Sequence, residues 1–148
     1  MISDTKVVAI GGGTGLSTML KGLKLHTHNI TAVVTVADDG GSSGILRSDL
    51  GMLAPGDVRN CVSALAEVDP VMGELLNFRL KGHSLGNLFL AALNETSSSF
   101  DEAVKKFSHL TGVVGTVYPV TNESVTLSAL LEDGRLIEGE SHIGVHHD

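Results

Sequence analysis

The sequence has few aromatic residues, one cysteine and no long hydrophobic run. Aromatic residues make up 3% of the 148 residues, with no Trp and one Tyr, so aliphatic side chains must build the core. Such a core is typical of an α/β protein with buried parallel strands. The lone Cys61 excludes a disulfide within the chain and favours a reducing compartment. No segment approaches the roughly 18 consecutive apolar residues of a transmembrane helix.

Basic residues are also scarce. The chain has 10 Lys and Arg against 17 Asp and Glu, which gives a formal net charge of −7. A general nucleic-acid binder needs a basic face that displaces counterions, so nucleic acid is not an expected partner. One phosphate-bearing ligand remains compatible with this charge, because backbone N–H groups can hold phosphate without Lys. With no signal-peptide pattern at the start, we expect a cytoplasmic protein without an integral membrane segment.

The first 37 residues predict a βαβ unit. Lys6–Ile10 is a short β-branched run that ends in the glycine turn, Gly11–Gly15. Apolar residues then recur at helical spacing from Leu16 to Leu23. Residues 30–37 are nearly all apolar or β-branched, as in a buried parallel strand. Strand, glycine turn, helix and strand together indicate an α/β fold.

Helices and a hairpin follow in the remaining sequence. The patterns predict helices over 56–68, 71–80, 84–93 and about 100–110, and strands over 113–120, 125–131 and 135–138. Asp133-Gly134 indicates the turn of a C-terminal β-hairpin. These elements make an incomplete sheet for a doubly wound fold, so we expect a truncated chain. Residues 1–143 are predicted to form one domain, and 144–148 an unstructured tail.

The glycine turn is the first candidate binding site. A strand that feeds a glycine turn and then a helix aims helix N–H groups at one point, where a diphosphate can bind. We therefore expect Gly11, Gly12, Gly13, Thr14 and Gly15 to contact a ligand. A tight turn without a ligand is the alternative. The usual dinucleotide fingerprint is incomplete, since Leu16 replaces its third glycine.

A second candidate is the acidic serine loop, Asp38–Gly44, predicted as a loop at the end of the second strand. Asp38 and Asp39 stand where an acidic residue binds ribose in dinucleotide folds, or they can hold Mg²⁺ that bridges phosphates. Ser42 and Ser43 supply hydroxyl groups beside them. A solvated surface loop is the alternative.

The segment Gly56–Asn60 opens a predicted helix. Asp57 is a candidate N-cap. Arg59 can bind phosphate with its guanidinium group or pair with Asp38 or Asp39, and Asn60 is a further candidate ligand contact. The neighbouring Cys61 is predicted to be a small core residue.

The segment Gly82–Asn87 allows three interpretations. Gly82-His83-Ser84-Leu85-Gly86 matches the nucleophile-elbow pattern of serine hydrolases, with Ser84 as nucleophile. That pattern needs a preceding strand, however, and residues 71–80 read as a helix. A phosphate-binding helix start is the second interpretation, with His83, Ser84, Gly86 and Asn87 as contacts. A capped helix without a ligand is the third.

Taken together, these motifs resemble a known family. The order and spacing of GGGTGLSTMLKGLK, DDGGSSG, GDVRN and GHSLGN resemble the gluconeogenesis factor family over about residues 6–143. That family is similar to 2-phospho-L-lactate transferase, which moves a phospholactyl group from a guanosine diphosphate donor to a deazaflavin. Family members are about twice as long as this chain.

The resemblance implies a Rossmann-like fold and a nucleotide-diphosphate site lined by Gly11–Gly15 and His83–Asn87. It implies binding of a UDP-sugar such as UDP-GlcNAc and a regulatory role in cell shape and cell-wall morphogenesis during gluconeogenic growth, with no established enzymatic activity. If the chain is an enzyme, we expect a transferase of phosphorus-containing groups, with Mg²⁺ at Asp38 and Asp39. No other cofactor is expected, and a homo-oligomer is left open.

Overall fold

A computed structural model describes residues 2–145 of the chain. Its helices are α1 Gly13–Leu23, α2 Gly41–Leu50, α3 Gly56–Leu65, α4 Pro70–Asn77, α5 Leu85–Glu95, α6 Phe100–Leu110 and α7 Glu140–Val145. Its strands are β1 Val7–Gly11, β2 Ile30–Val34, β3 Arg79–Leu80, β4 His83–Ser84, β5 Thr116–Pro119, β6 Ser128–Leu130 and β7 Leu136–Glu138. None of the helices in this range is long and apolar enough to cross a membrane.

A parallel sheet in the order β1-β2-β5 forms the centre of the fold. Helices α1, α3 and α6 pack on or beside one face of the sheet. The core between them consists mainly of aliphatic side chains, and Leu20, Leu65, Val58 and Phe107 are fully buried. On the opposite face, Val8 is 65% exposed and Ile10 is 76% exposed. The predicted Rossmann-like α/β fold and the buried Cys61 are confirmed.

The acidic serine loop is shorter than predicted, because α2 begins at Gly41 within it. Glycine and serine have modest helix propensity, but tertiary packing decides whether a short helix forms. Here Leu46 is 5% exposed and joins the core, and Ser43 is 3% exposed. The burial of one helix face therefore outweighs a local composition that favours a loop.

The helix predicted over 71–80 ends at Asn77. Arg79–Leu80 instead pairs with His83–Ser84 as a short antiparallel hairpin. Lys81 and Gly82 form its turn with φ angles of 49° and 86°, a conformation that a helix cannot include. This hairpin sets the position of His83 at the start of α5.

The predicted C-terminal hairpin is present as β6 and β7. The chain then continues into α7, which contains Gly144 and Val145. The unstructured tail predicted over 144–148 therefore does not start at residue 144. A side chain distant in sequence explains the difference, because Asp39 accepts a hydrogen bond from the Ser141 N–H at 2.8 Å. Residues 146–148 lie outside the described residues.

Candidate functional site

The first turns of α2, α3 and α5 surround a polar cavity of about 240 Å³. Amide groups in the first turn of a helix have no partner within the helix, which favours anions at such a place. The cavity collects residues from three of the sequence motifs, separated by up to 49 positions. They are Asp38, Gly40, Gly41, Ser42, Ser43, Gly56, Asp57, Arg59, Asn60, Arg79 and Asn87.

A hydrogen-bond network joins α2 to the start of α5 beside this cavity. Ser42 Oγ lies 2.7 Å from His83 Nδ1, and Asn87 Nδ2 donates to Ser42 Oγ at 3.1 Å. Ser84 Oγ accepts from the Asn87 N–H at 3.1 Å and thereby caps α5. The structure thus brings the serine motif and the histidine motif together. The resemblance instead implied a site lined by Gly11–Gly15 and His83–Asn87, and Gly11–Gly15 do not line this cavity.

Ser84 does not fit the nucleophile-elbow interpretation. An elbow exposes its serine hydroxyl at the end of a strand of the main sheet. Ser84 is 1% exposed, its Oγ serves as the N-cap acceptor of α5, and it lies on the two-residue strand β4. The burial of this side chain argues against a serine hydrolase at this position.

Ser43 holds the start of α3. Its Oγ accepts from the Gly56 N–H at 3.1 Å, so it satisfies an amide of a helix other than its own. The prediction of Asp57 as N-cap is wrong, because Pro55 occupies that position and Asp57 lies in the first turn. Burial, followed by the charge of Asp38, raises the pKa of Asp57, and a hydrogen bond with the Gly13 backbone partly opposes the shift.

Arg59 is 9% exposed and donates from Nη1 to Asn77 Oδ1 at 2.9 Å. No ion pair with Asp38 or Asp39, which we expected as one option, is found among the described residues. Burial, followed by the nearby Arg79 guanidinium, lowers the pKa of Arg59. The side chain therefore contacts α4 and α5 while it lines the same cavity as the acidic serine loop.

Gly86 explains this path of the arginine side chain. A Cβ at Gly86 would stand 2.8 Å from Arg59 Cδ and 3.0 Å from the Leu76 carbonyl oxygen. The missing side chain at Gly86 thus makes room for the protein's own Arg59 and Leu76. Gly86 thereby positions Arg59 at the cavity. A direct contact between Gly86 and a ligand stays a prediction.

The glycine turn lies beside a different, apolar groove. This groove has a volume of about 350 Å³ and is lined by Ile10, Gly11, Gly12, Val33, Thr35 and Val120. A Cβ at Gly12 would overlap the Thr35 Cγ2 methyl group and stand 3.0 Å from Asp57 Oδ2. Gly13, Thr14 and Gly15 line neither the groove nor the polar cavity. Their contact with a ligand stays a prediction.

A cluster of carboxylates adjoins the polar cavity. Oxygen atoms of Asp38, Asp39 and Glu140 all lie within 4.8 Å of one another. The backbone N–H of Ser141 is the largest influence that lowers the pKa of Asp39. Burial, followed by Asp38, raises the pKa of Glu140. Three hard oxygen ligands are a donor set that suits Mg²⁺.

Comparison with known proteins identifies the chain's relatives. The sequence model of the family described as 2-phospho-L-lactate transferase CofD matches residues 7–148. The chain belongs to this CofD family. A relative in Thermoanaerobacterium thermosulfurigenes is 61% identical over 147 residues, which cover 96% of this chain and 46% of the relative. The Gluconeogenesis factor of Bacillus subtilis is 50% identical over 144 residues, which cover 93% of this chain and 45% of that protein.

A solved structure agrees with these CofD-family relatives. The crystal structure of protein BH3568 from Bacillus halodurans matches with a TM-score of 0.89 at 46% identity, covering 93% of this chain and 47% of that one. The chain therefore spans about half the length of the curated relatives that it matches. The predicted resemblance to gluconeogenesis factors is confirmed.

Two residues at this candidate site were missed in the sequence. Glu140 completes the carboxylate cluster, and Arg47 donates to the Ala37, Asp38 and Val125 carbonyl oxygens at 3.1, 3.2 and 2.7 Å. Arg47 thereby fixes the backbone of the acidic serine loop. Local patterns give no signal for either role, because Glu140 and Val125 lie 78 or more positions from their partners.

Proposed function

We propose that the protein binds a nucleoside-diphosphate sugar, of the UDP-GlcNAc type, in the polar cavity between α2, α3 and α5. The observation that carries the proposal is the convergence of three helix starts with Ser42, Arg59 and Asn87 at one cavity. Helix-start amides and a buried guanidinium group favour an anionic ligand. The similarity to gluconeogenesis factors supports the same ligand class.

Regulation of cell shape and cell-wall morphogenesis during gluconeogenic growth is part of this proposal. It is supported by the family similarity. In this role the protein would sense the sugar nucleotide and convert nothing. The His83–Ser42–Asn87 network joins α5 to α2 at the cavity, so a bound ligand would contact both helices at once.

A second candidate function is a Mg²⁺-dependent transferase of the phospholactyl type. The observation in its favour is the carboxylate cluster, because Asp38, Asp39 and Glu140 offer oxygen ligands at the edge of the cavity. Mg²⁺ bound there would polarise a phosphoryl oxygen. The backbone N–H of Ser141 would hold the Asp39 carboxylate in place.

Calorimetry with UDP-GlcNAc, with and without Mg²⁺, followed by chromatography of the nucleotide products, tests both functions. Saturable binding without product supports the binding protein, whereas Mg²⁺-dependent product supports the transferase. Asp39→Asn should abolish product formation but leave metal-free binding, since the amide oxygen can still accept from Ser141. Asp133→Asn, on the exposed hairpin turn, is the matched control. The absence of any nucleotide binding would refute both functions.

A further inference from the structure

Two buried side-chain atoms at the polar cavity have no hydrogen-bond partner among the described residues. They are Nε of Arg59, a residue that is 9% exposed, and Oδ1 of Asn87, which is 4% exposed. Both residues line the cavity. Buried polar atoms are nearly always paired in folded proteins, so two unpaired ones at one cavity indicate that something else pairs with them.

The two atoms are opposite in kind. Arg59 uses Nη1 to bind Asn77, and its Nε–H can only donate. Asn87 uses Nδ2 to bind Ser42, and its Oδ1 can only accept. A ligand that satisfies both must therefore present a hydrogen-bond acceptor to Arg59 and a donor to Asn87.

We infer that the glycosyl end of the sugar nucleotide, with its attached phosphate, occupies this cavity, while the nucleoside lies outside it. This inference rests on the proposed function. An ionised phosphate supplies acceptors for Arg59 Nε but no donor for Asn87 Oδ1. A sugar hydroxyl or acetamido N–H supplies that donor. The carboxylates of Asp38 and Asp57 in the same lining are further acceptors for hydroxyl groups.

The apolar groove offers the nucleoside a separate place. Ile10, Val33 and Val120 give it an apolar lining, which suits the face of a nucleobase. Gly12 lines the groove, Asp57 lines the cavity, and Asp57 Oδ2 lies 3.0 Å from the position of a Cβ at Gly12. A diphosphate that passes Gly12 would join the two ends of the ligand.

The test compares UDP-GlcNAc with UDP by calorimetry on the full chain in the presence of Mg²⁺. The unaltered protein should bind UDP-GlcNAc at least about tenfold more tightly than UDP, because only the sugar pairs with Asn87. Asn87→Leu should weaken the binding of UDP-GlcNAc by about tenfold and change the affinity for UDP by less than about twofold. Asn94→Leu, on the same helix but away from the cavity, should change neither.

If Asn87→Leu lowers the affinities for UDP and UDP-GlcNAc equally, the inference is overturned. If it lowers neither affinity, only water pairs with Oδ1, and the inference is overturned as well. Should Asn87→Leu fail to fold, the unaltered protein still decides between the two orientations. N-acetylglucosamine 1-phosphate should bind more tightly than uridine monophosphate, and the reverse order would overturn the inference. Failure of the unaltered protein to bind any of these nucleotides would refute the proposed function itself.

Discussion

The two glycine-rich segments of the chain differ in what surrounds them. The glycine turn joins β1 to α1 beside an apolar groove, and its Gly12 packs against Thr35. The acidic serine loop leads into α2 at a polar cavity, where side chains from α3 and α5 supply charge and hydrogen bonds. Both have the composition of a phosphate-binding loop, and Asp57 of α3 lies beside Gly12, but the acidic serine loop is the one that lines the polar cavity.

The difference shows that glycine content alone does not mark a binding site. At Gly12 the missing side chain makes room for the protein's own Thr35, and at Gly86 it makes room for Arg59. Polar groups that face a cavity without partners are the stronger signal, and they depend on tertiary contacts. The following predictions test this comparison, from the largest expected effect to the smallest.

The largest effect is expected at the glycine turn. Gly12→Ala should lower the free energy of unfolding by about 2–3 kcal/mol, since the added Cβ overlaps Thr35 and a packed interior cannot absorb it. Gly15→Ala should be neutral or slightly stabilising, because nothing lies within 4 Å of its added Cβ. Urea denaturation measures both changes. Equal stability of the two variants would show that Gly12 is not closely packed.

At the polar cavity, we expect loss of binding rather than loss of folding. Arg59→Met should weaken the binding of UDP-GlcNAc by about 10- to 150-fold, the range for one hydrogen bond to a charged group. The melting temperature should fall little, because the change also removes a buried charge. Arg135→Met, on the exposed hairpin, is the control for calorimetry. Unchanged affinity in Arg59→Met would remove the cavity from the binding site.

A smaller effect is expected at the anchor of α7. Asp39→Ala removes the carboxylate that accepts the Ser141 N–H, so this amide should exchange with solvent about tenfold faster. The cause is local opening of the first turn of α7, and global stability should stay nearly unchanged. NMR hydrogen exchange measures the rate. An unchanged Ser141 rate would mean that α7 does not depend on the acidic serine loop.

The smallest effect concerns the pH dependence at Asp57. Because burial raises the pKa of this carboxyl group, the folded state holds its proton more tightly than the unfolded state does. The stability that this carboxyl group contributes is therefore lost as the pH rises from about 3.8, its ordinary pKa, through its higher pKa in the folded state. Asp57→Asn avoids that loss, so its stability relative to the unaltered protein should be greater at pH 7 than at pH 3.

The exposed Asp133 provides a control of opposite sign. Hydrogen bonds from the backbone and then the side chain of Arg135 lower the pKa of Asp133. Its contribution is present at neutral pH and is lost as the pH falls. Asp133→Asn should therefore be less stable, relative to the unaltered protein, at pH 7 than at pH 3. The same trend in both variants during thermal unfolding would contradict the assigned pKa directions.

Local patterns predicted the parts of this protein that local chemistry determines. The β1–α1–β2 unit follows from strand and helix periodicity around the glycine turn, and Ser84 caps α5, as two of the three interpretations of its segment allowed. The start of α2 was missed, because burial of Leu46 overrides a loop-like composition. Glu140 and the contact of Arg47 with Val125 were missed because the partners are far apart in sequence, and no short-range pattern records such contacts.

The most direct test of the polar cavity as the binding site is NMR of the Arg59 side chain. In protein labelled with ¹⁵N at arginine Nε, the Arg59 resonance is identified by its absence in Arg59→Lys. Addition of UDP-GlcNAc should shift this Nε–H signal and slow its exchange with water, because a ligand oxygen becomes its partner. An unmoved signal at a ligand concentration that calorimetry shows to be saturating would contradict the account.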